Sequence, residues 1–212
     1  MDVVVLVSGR GSNLRAICTA IDAGACEAKI VGVVSDRTTA AALEFAAGRG
    51  IPTRTVALLK GSDRDSWNES LADEVAALEP DLVVLAGFMR VLGAPLLERF
   101  PGRIINVHPA LLPSFPGHNG PQDALDAGVR ISGCTVHIVD AGVDTGPILA
   151  QAAVPVLTDD TADTLHARIQ IQEHQLLPRV IQQIAIGAIT LDPLTVSIPV
   201  TDPTQSLAAP DA

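Results

Sequence analysis

Short runs of consecutive apolar residues alternate along this chain with longer stretches whose apolar positions recur every three or four residues. Val3–Ser8, Lys29–Ser35, Asp81–Gly87 and Arg103–His108 are the first kind. They are rich in β-branched residues and lack in–out alternation, the pattern of strands covered on both faces of a parallel sheet. Between them, Asn13–Ala23, Thr39–Arg49 and Ser62–Leu78 carry helical patterns. Ser62 is placed to cap the third, with acidic residues in its first turn. Strand–helix–strand alternation predicts right-handed crossovers in a doubly wound, mostly parallel α/β sheet.

Beyond Pro113 the texture changes. Ser132–Asp140 and Ile148–Val156 read as two strands joined by the Gly-rich AGVDTGP, a hairpin rather than another crossover. A long helix is predicted from about Thr161, with Asp159 and Asp160 near its start and Pro178 placed to kink or split it. From Ile189 the periodicity dissolves into a Pro- and Ala-rich end. The division expected is one domain over 1–188 and a C-terminal extension over 189–212, loosely ordered at its end.

Composition narrows the class. The chain has 212 residues, 48% hydrophobic, enough for one sizeable core. Its net charge of −10 makes a nucleic-acid backbone a poor partner, and no apolar run reaches membrane-span length, so neither nucleic acid nor membrane is expected. Cys18, Cys26 and Cys134 have no metal-ligand spacing; free thiols in a cytoplasmic protein without a metal are the expectation.

Five stretches carry candidate chemistry. Gly11, Ser12 and Asn13 lie in SGRGSNL, where the first strand turns into a helix. Backbone N–H groups there can cradle a phosphate, or the turn can simply be tight; Leu14 stands where a dinucleotide fingerprint wants a third glycine. Met89, Arg90, Val91 and Leu92 follow the third apolar run. They cap the core or line a slot for a flat heterocycle. Asn106 and His108 share one strand face, as a satisfied polar pair or as a catalytic one. Asp144 lies in a two-glycine loop, where a carboxylate near His108 would raise the imidazole pKa. Glu173 interrupts an apolar helical stripe of Leu165, Ile169, Leu176, Val180 and Ile184, and needs a basic group or a ligand amine as partner.

Together, SGRGSNL, AGFMRVL, NVHPALLP, DAGVDTGPILAQ and RIQIQEHQLLP resemble the phosphoribosylglycinamide formyltransferases, a family of the folate-dependent formyltransferase superfamily, from Val3 to about Gly187. The resemblance implies a Rossmann-like formyltransferase fold. It also implies transfer of the formyl group of 10-formyltetrahydrofolate, a co-substrate, to the amine of phosphoribosylglycinamide in purine synthesis. Asn106, His108 and Asp144 correspond to the catalytic trio. Gly11, Ser12 and Asn13 correspond to the phosphate loop, and Glu173 to the acid at the glycinamide end. Arg64 and Met89–Leu92 correspond to folate contacts, with Ala141, Gly142, Val143 and Asp144 around the pterin. Family members are often dimers, so a homodimer is an open expectation. One departure concerns SFPGHNGPQ, where Asn119 occupies a place the family usually gives to histidine and His118 precedes it. Formyltetrahydrofolate hydrolases, which share the trio, and methionyl-tRNA formyltransferases are rival readings. The first is expected to carry an extra N-terminal domain and the second a tRNA-binding C-terminal one. A non-catalytic folate or nucleotide sensor is the reading from a different class.

Overall fold

The computed structural model describes residues 1–191 and 196–197. Its elements in chain order are β1 (Asp2–Val7), α1 (Ser12–Asp22), β2 (Lys29–Ser35), α2 (Ala41–Gly48), β3 (Thr53–Thr55), α3 (Arg64–Ala76), β4 (Leu82–Leu85), α4 (Ala94–Arg99), β5 (Ile104–His108), α5 (Gly120–Asp126), β6 (Ile131–Ile138), β7 (Ile148–Pro155), α6 (Ala162–Ala185), β8 (Thr190–Leu191) and β9 (Val196–Ser197). Seven strands form one sheet in the order β3-β2-β1-β4-β5-β6-β7. The first five pair in parallel. β6 pairs antiparallel with both β5 and β7, which is the predicted hairpin.

The continuous apolar runs are explained by cores on both faces. Val3, Val5 and Val7 of β1 join Leu14, Ile17, Ala42, Leu165, Ile169 and Leu177 from α1, α2 and α6. Val4 and Leu6 join Trp67, Leu71, Val75 and Leu96 from α3 and α4. Successive strand residues feed opposite layers, so none can be polar without cost. The three cysteines are unpaired and buried.

Several local expectations shift. Asp63 rather than Ser62 caps α3, its carboxylate accepting from the Ser66 N–H at 2.9 Å. Thr161 caps α6 through a capping box with Thr164, and Pro178 does not split that helix. Pro178 is buried with Leu177, Val180 and Ile181, so packing of a long helix outweighs the local penalty. The inward stripe of α6 runs through Leu165, Ile169, Glu173, Leu177 and Ile181, while Leu176 and Ile184 only flank it. Ile189 is buried in the core, and β8 pairs with β9. The remainder of the expected loose end lies outside the described residues.

Candidate active site

In an open α/β sheet, ligands bind outside the carboxyl ends of the strands, where the strand order reverses. Here that point lies between β1 and β4, whose exits are tied together. The Ser8 N–H donates to the Gly87 carbonyl at 3.1 Å, and the Met89 N–H to the Ser8 hydroxyl at 2.9 Å. Beside this junction opens a cleft of about 550 Å³. Its lining includes Phe88, Met89, Arg90, Val91, Leu92, Asn106, His108, His118, His137, Gly142, Val143 and Asp144.

The Met89–Leu92 segment does both things its composition allowed. Phe88 and Leu92 sink into the α3–α4 core, whereas Met89 and Val91 stay 63% and 59% exposed at the cleft. The segment is held from behind. Arg90 Nε donates at 2.7 Å to Asp36, a buried carboxylate at the end of β2. Arg64 stacks over the Trp67 ring at 4.4 Å and donates to the Val91 carbonyl, so it braces the lining instead of forming it. Ala141 also lies outside the lining, in the turn where Asp140 accepts from the Gly142 N–H at 3.0 Å and the Thr145 hydroxyl at 2.7 Å.

Asn106, His108 and Asp144 meet in the cleft. His108 Nδ1 lies 3.4 Å from Asp144 Oδ2. His108 Nε2 carries the hydrogen donated to the Phe115 carbonyl at 2.8 Å, since a carbonyl only accepts. Asp144 Oδ2 accepts from the Gly117 N–H at 2.7 Å. A fourth group, absent from the sequence reasoning, completes the cluster. His137 stands opposite Asn106 in the β5–β6 register. Its Nε2 lies 3.1 Å from Asn106 Nδ2 and 3.5 Å from Asp144 Oδ1, while its Nδ1–H donates to the Ile138 carbonyl at 2.9 Å. The signal was a histidine inside the apolar strand SGCTVHIVD, two residues along from Thr135 on the same face.

The electrostatics reverse one expectation. Burial pushes the His108 pKa below its ordinary value. The Phe115 carbonyl and Asp144 oppose that shift without overturning it. The unliganded imidazole is therefore mainly neutral at neutral pH, not held protonated by the carboxylate. Burial pushes Asp144 upward, but His137, the Gly117 N–H and His108 together hold it below the usual carboxylate range. Asp144 is the ionised member of the cluster.

Gly11, Ser12, Asn13 and Glu173 form a separate group. Gly11 has φ +74°, and a Cβ there would meet Ala42 Cβ at 2.6 Å, so the turn needs glycine for both reasons. Buried Asn13 donates from Nδ2 to Glu173 at 3.0 Å, and Glu173 is buried on α6. The acid's partner is thus a side chain of the candidate phosphate loop. Burial raises the Glu173 pKa, with the Asn13 bond pulling the other way. α6 packs with Ile105 and Val107 of β5, so it covers the sheet face opposite Asn106 and His108. Glu173 does not line the cleft. Asn119 precedes α5 without capping it through its side chain, and exposed His118 is the one that reaches the cleft.

The formyl transferase family pattern matches residues 1–181. Over 188 residues the chain is 50% identical to a phosphoribosylglycinamide formyltransferase of Mycobacterium tuberculosis, covering 89% of this chain and 86% of that one. It is 39% identical over 191 residues to the Escherichia coli protein of the same name, covering 90% of each. The structure of glycinamide ribonucleotide transformylase 1 from Symbiobacterium toebii superposes with a TM-score of 0.89 at 42% identity, covering 93% of both chains. With nearly its whole described length inside that likeness, and with its mostly parallel sheet superposing on a solved transformylase, the chain belongs to the phosphoribosylglycinamide formyltransferase family.

Proposed function

We propose that this chain transfers the formyl group of 10-formyltetrahydrofolate to the amine of phosphoribosylglycinamide. The observation that carries the reading is the convergence of Asn106, His108 and Asp144 at one apolar cleft on the carboxyl edge of the sheet. Met89, Arg90, Val91 and Leu92 supply an apolar face and backbone groups for a flat pterin, with Gly142 and Val143 opposite and Arg64 and Ala141 as supports. Gly11, Ser12 and Asn13 offer backbone donors at the start of α1 for the phosphate. Glu173, bonded to Asn13, holds the ribonucleotide from α6.

When the amine adds to the formyl carbon, the carbonyl oxygen gains charge. The Asn106 amide lines the cleft and can donate to it, and preorganised donors of this kind usually supply the largest share of rate enhancement. Asp144, ionised and 3.4 Å from His108, accepts the proton that the amine must lose. That proton passes to His108, which delivers it to the departing folate nitrogen. A low imidazole pKa suits this relay, because the imidazolium formed when His108 takes the proton gives it up readily.

The unit proposed to do this is residues 1–188, working on two small molecules in the cytoplasm, without nucleic acid or membrane, as a homodimer to be sought by sedimentation. Among the described residues no helix is long and apolar enough to cross a membrane. Folate release is followed spectroscopically with and without phosphoribosylglycinamide. Turnover dependent on the ribonucleotide is expected. Folate release independent of it would replace this reading with hydrolysis, and no release with either would favour a sensor.

A further inference from the structure

Thr135 of β6 is fully buried and stands opposite His108 in the β5–β6 register. Its hydroxyl donates to the Ala110 carbonyl at 2.7 Å and accepts from the Leu112 N–H at 3.0 Å. Gln151 Nε2, from β7, donates to the same hydroxyl at 3.0 Å and to the Leu112 carbonyl at 2.8 Å. A hydroxyl has one hydrogen to give and two lone pairs to receive with. All three are taken by protein groups, so this oxygen has nothing left for a substrate.

What these bonds hold is the segment that leaves His108. Pro109–Pro113 follows the histidine directly. Two residues beyond, the Phe115 carbonyl receives the His108 Nε2 hydrogen, and the Gly117 N–H then reaches Asp144. Gly120 closes the packing, since a Cβ there would come within 3.0 Å of the Pro109 carbonyl and 3.5 Å of His108 Nε2. Both reacting groups are therefore braced by one loop, and that loop is pinned to β6 and β7 at Ala110 and Leu112.

We propose that Thr135, assisted by Gln151, is the positioning residue of this site, setting the loop that aligns His108 with Asp144. The inference rests on the formyl-transfer reading above. A displacement of about 1 Å at a reacting group costs on the order of a hundredfold in rate, and among the described residues the side-chain hydrogen bonds that tie the Ala110–Leu112 turn to the sheet come from Thr135 and Gln151, beside the packing of Leu111 over Gly133.

The test compares Thr135→Val, Thr135→Ser and Gln151→Leu with the native enzyme in kcat, both KM values and thermal melting. Thr135→Val should lose roughly 10- to 100-fold in kcat, with each KM changed by no more than about threefold. Thr135→Ser should restore kcat, and Gln151→Leu should lose less than Thr135→Val. Should Thr135→Val not fold, Gln151→Leu decides: a lowered kcat supports the inference and an unchanged one overturns it. A folded Thr135→Val that melts lower but keeps native kcat also overturns it, as does a serine variant that fails to rescue. The imidazole titration of His108, followed by NMR, should move in Thr135→Val and return in Thr135→Ser. That readout needs no turnover. If the native protein itself shows no formyl transfer, the functional reading fails while the NMR result still judges the positioning role.

Discussion

Asp144 and Glu173 are both carboxylates enclosed by the fold, and their surroundings drive them in opposite directions. Asp144 is held down by His137, the Gly117 N–H and His108, which outweigh its burial. Glu173 is pushed up because burial meets only one opposing partner, the Asn13 amide. Glu173 lies deeper and meets one donor, while the shallower Asp144 meets several stabilising groups, so burial prevails only at Glu173. The antiparallel side of the sheet concentrates polar side chains, since β5 and β6 set Asn106, His108 and His137 side by side. The α1–α6 contact is built from apolar packing, with Asn13 and Glu173 as a polar inclusion. One region gathers several polar side chains at an open cleft, and the other buries a single polar pair in a helix contact.

The strongest way to break this contrast is to remove the pair proposed to move the proton. His108→Ala and Asp144→Ala are each expected to lower kcat by roughly 10²- to 10⁴-fold while remaining folded by circular dichroism. Near-native turnover from either would remove the relay. Glu173→Gln should leave kcat close to native but weaken ribonucleotide binding about 10- to 100-fold, the scale of one hydrogen bond to a charged group. Folate affinity should hold, as calorimetric titration of each ligand would show. An equal loss for both ligands would merge the two regions into one. Gly11→Val is a poor probe of the same site, because its clash with Ala42 would disturb α2 as well.

The stability response to pH sharpens the contrast further. Glu173 has a folded pKa above its unfolded one, ordinarily about 4.3. The folded state then holds the extra proton from about that pH up to the raised value, and stability falls as pH rises through this window. Glu173→Gln abolishes that fall, so its melting temperature should exceed the native one at pH 7.5 and approach it near pH 4. Asp144 has a depressed folded pKa. Its contribution is present above the unfolded pKa of about 3.9 and is lost as pH falls through the folded value. Asp144→Asn should therefore melt below native at pH 7.5. Melting shifts of the same sign in both variants would sink the comparison. Smallest in effect, Arg64→Met should raise the folate KM by only about threefold, since one bond from a half-exposed guanidinium to a backbone carbonyl is worth roughly 0.5–1.5 kcal/mol. Its ribonucleotide KM should not move.

Much of the site was visible residue by residue. Asn106 and His108 had to project together because strand side chains repeat with period two, and SGRGSNL had to be a strand-to-helix turn. His137 was not visible as a partner. Its place beside Asn106 depends on the β5–β6 register, a pairing between residues 31 apart. Asp36 was equally hidden, since its tie to Arg90 spans 54 residues. The protonation state of His108 was misjudged for a related reason. The attraction of Asp144 could be anticipated from a nearby carboxylate, but the larger effect of burial exists only once the surrounding strands have closed over the ring.

Local order along the chain was enough to determine the strands and helices that carry the sheet, the hairpin after β5, the long final helix and the positions of the candidate trio. These follow from periodicity and turn residues, which act over a few neighbours. Short β3, α4 and α5 escaped, because each is too brief to show a period. Packing alone decided that α6 runs through Pro178, that Glu173 meets Asn13, and that the Thr135 hydroxyl is used up by the loop after His108. Those outcomes depend on which distant segments share a low-dielectric space, and no stretch of sequence contains that information by itself.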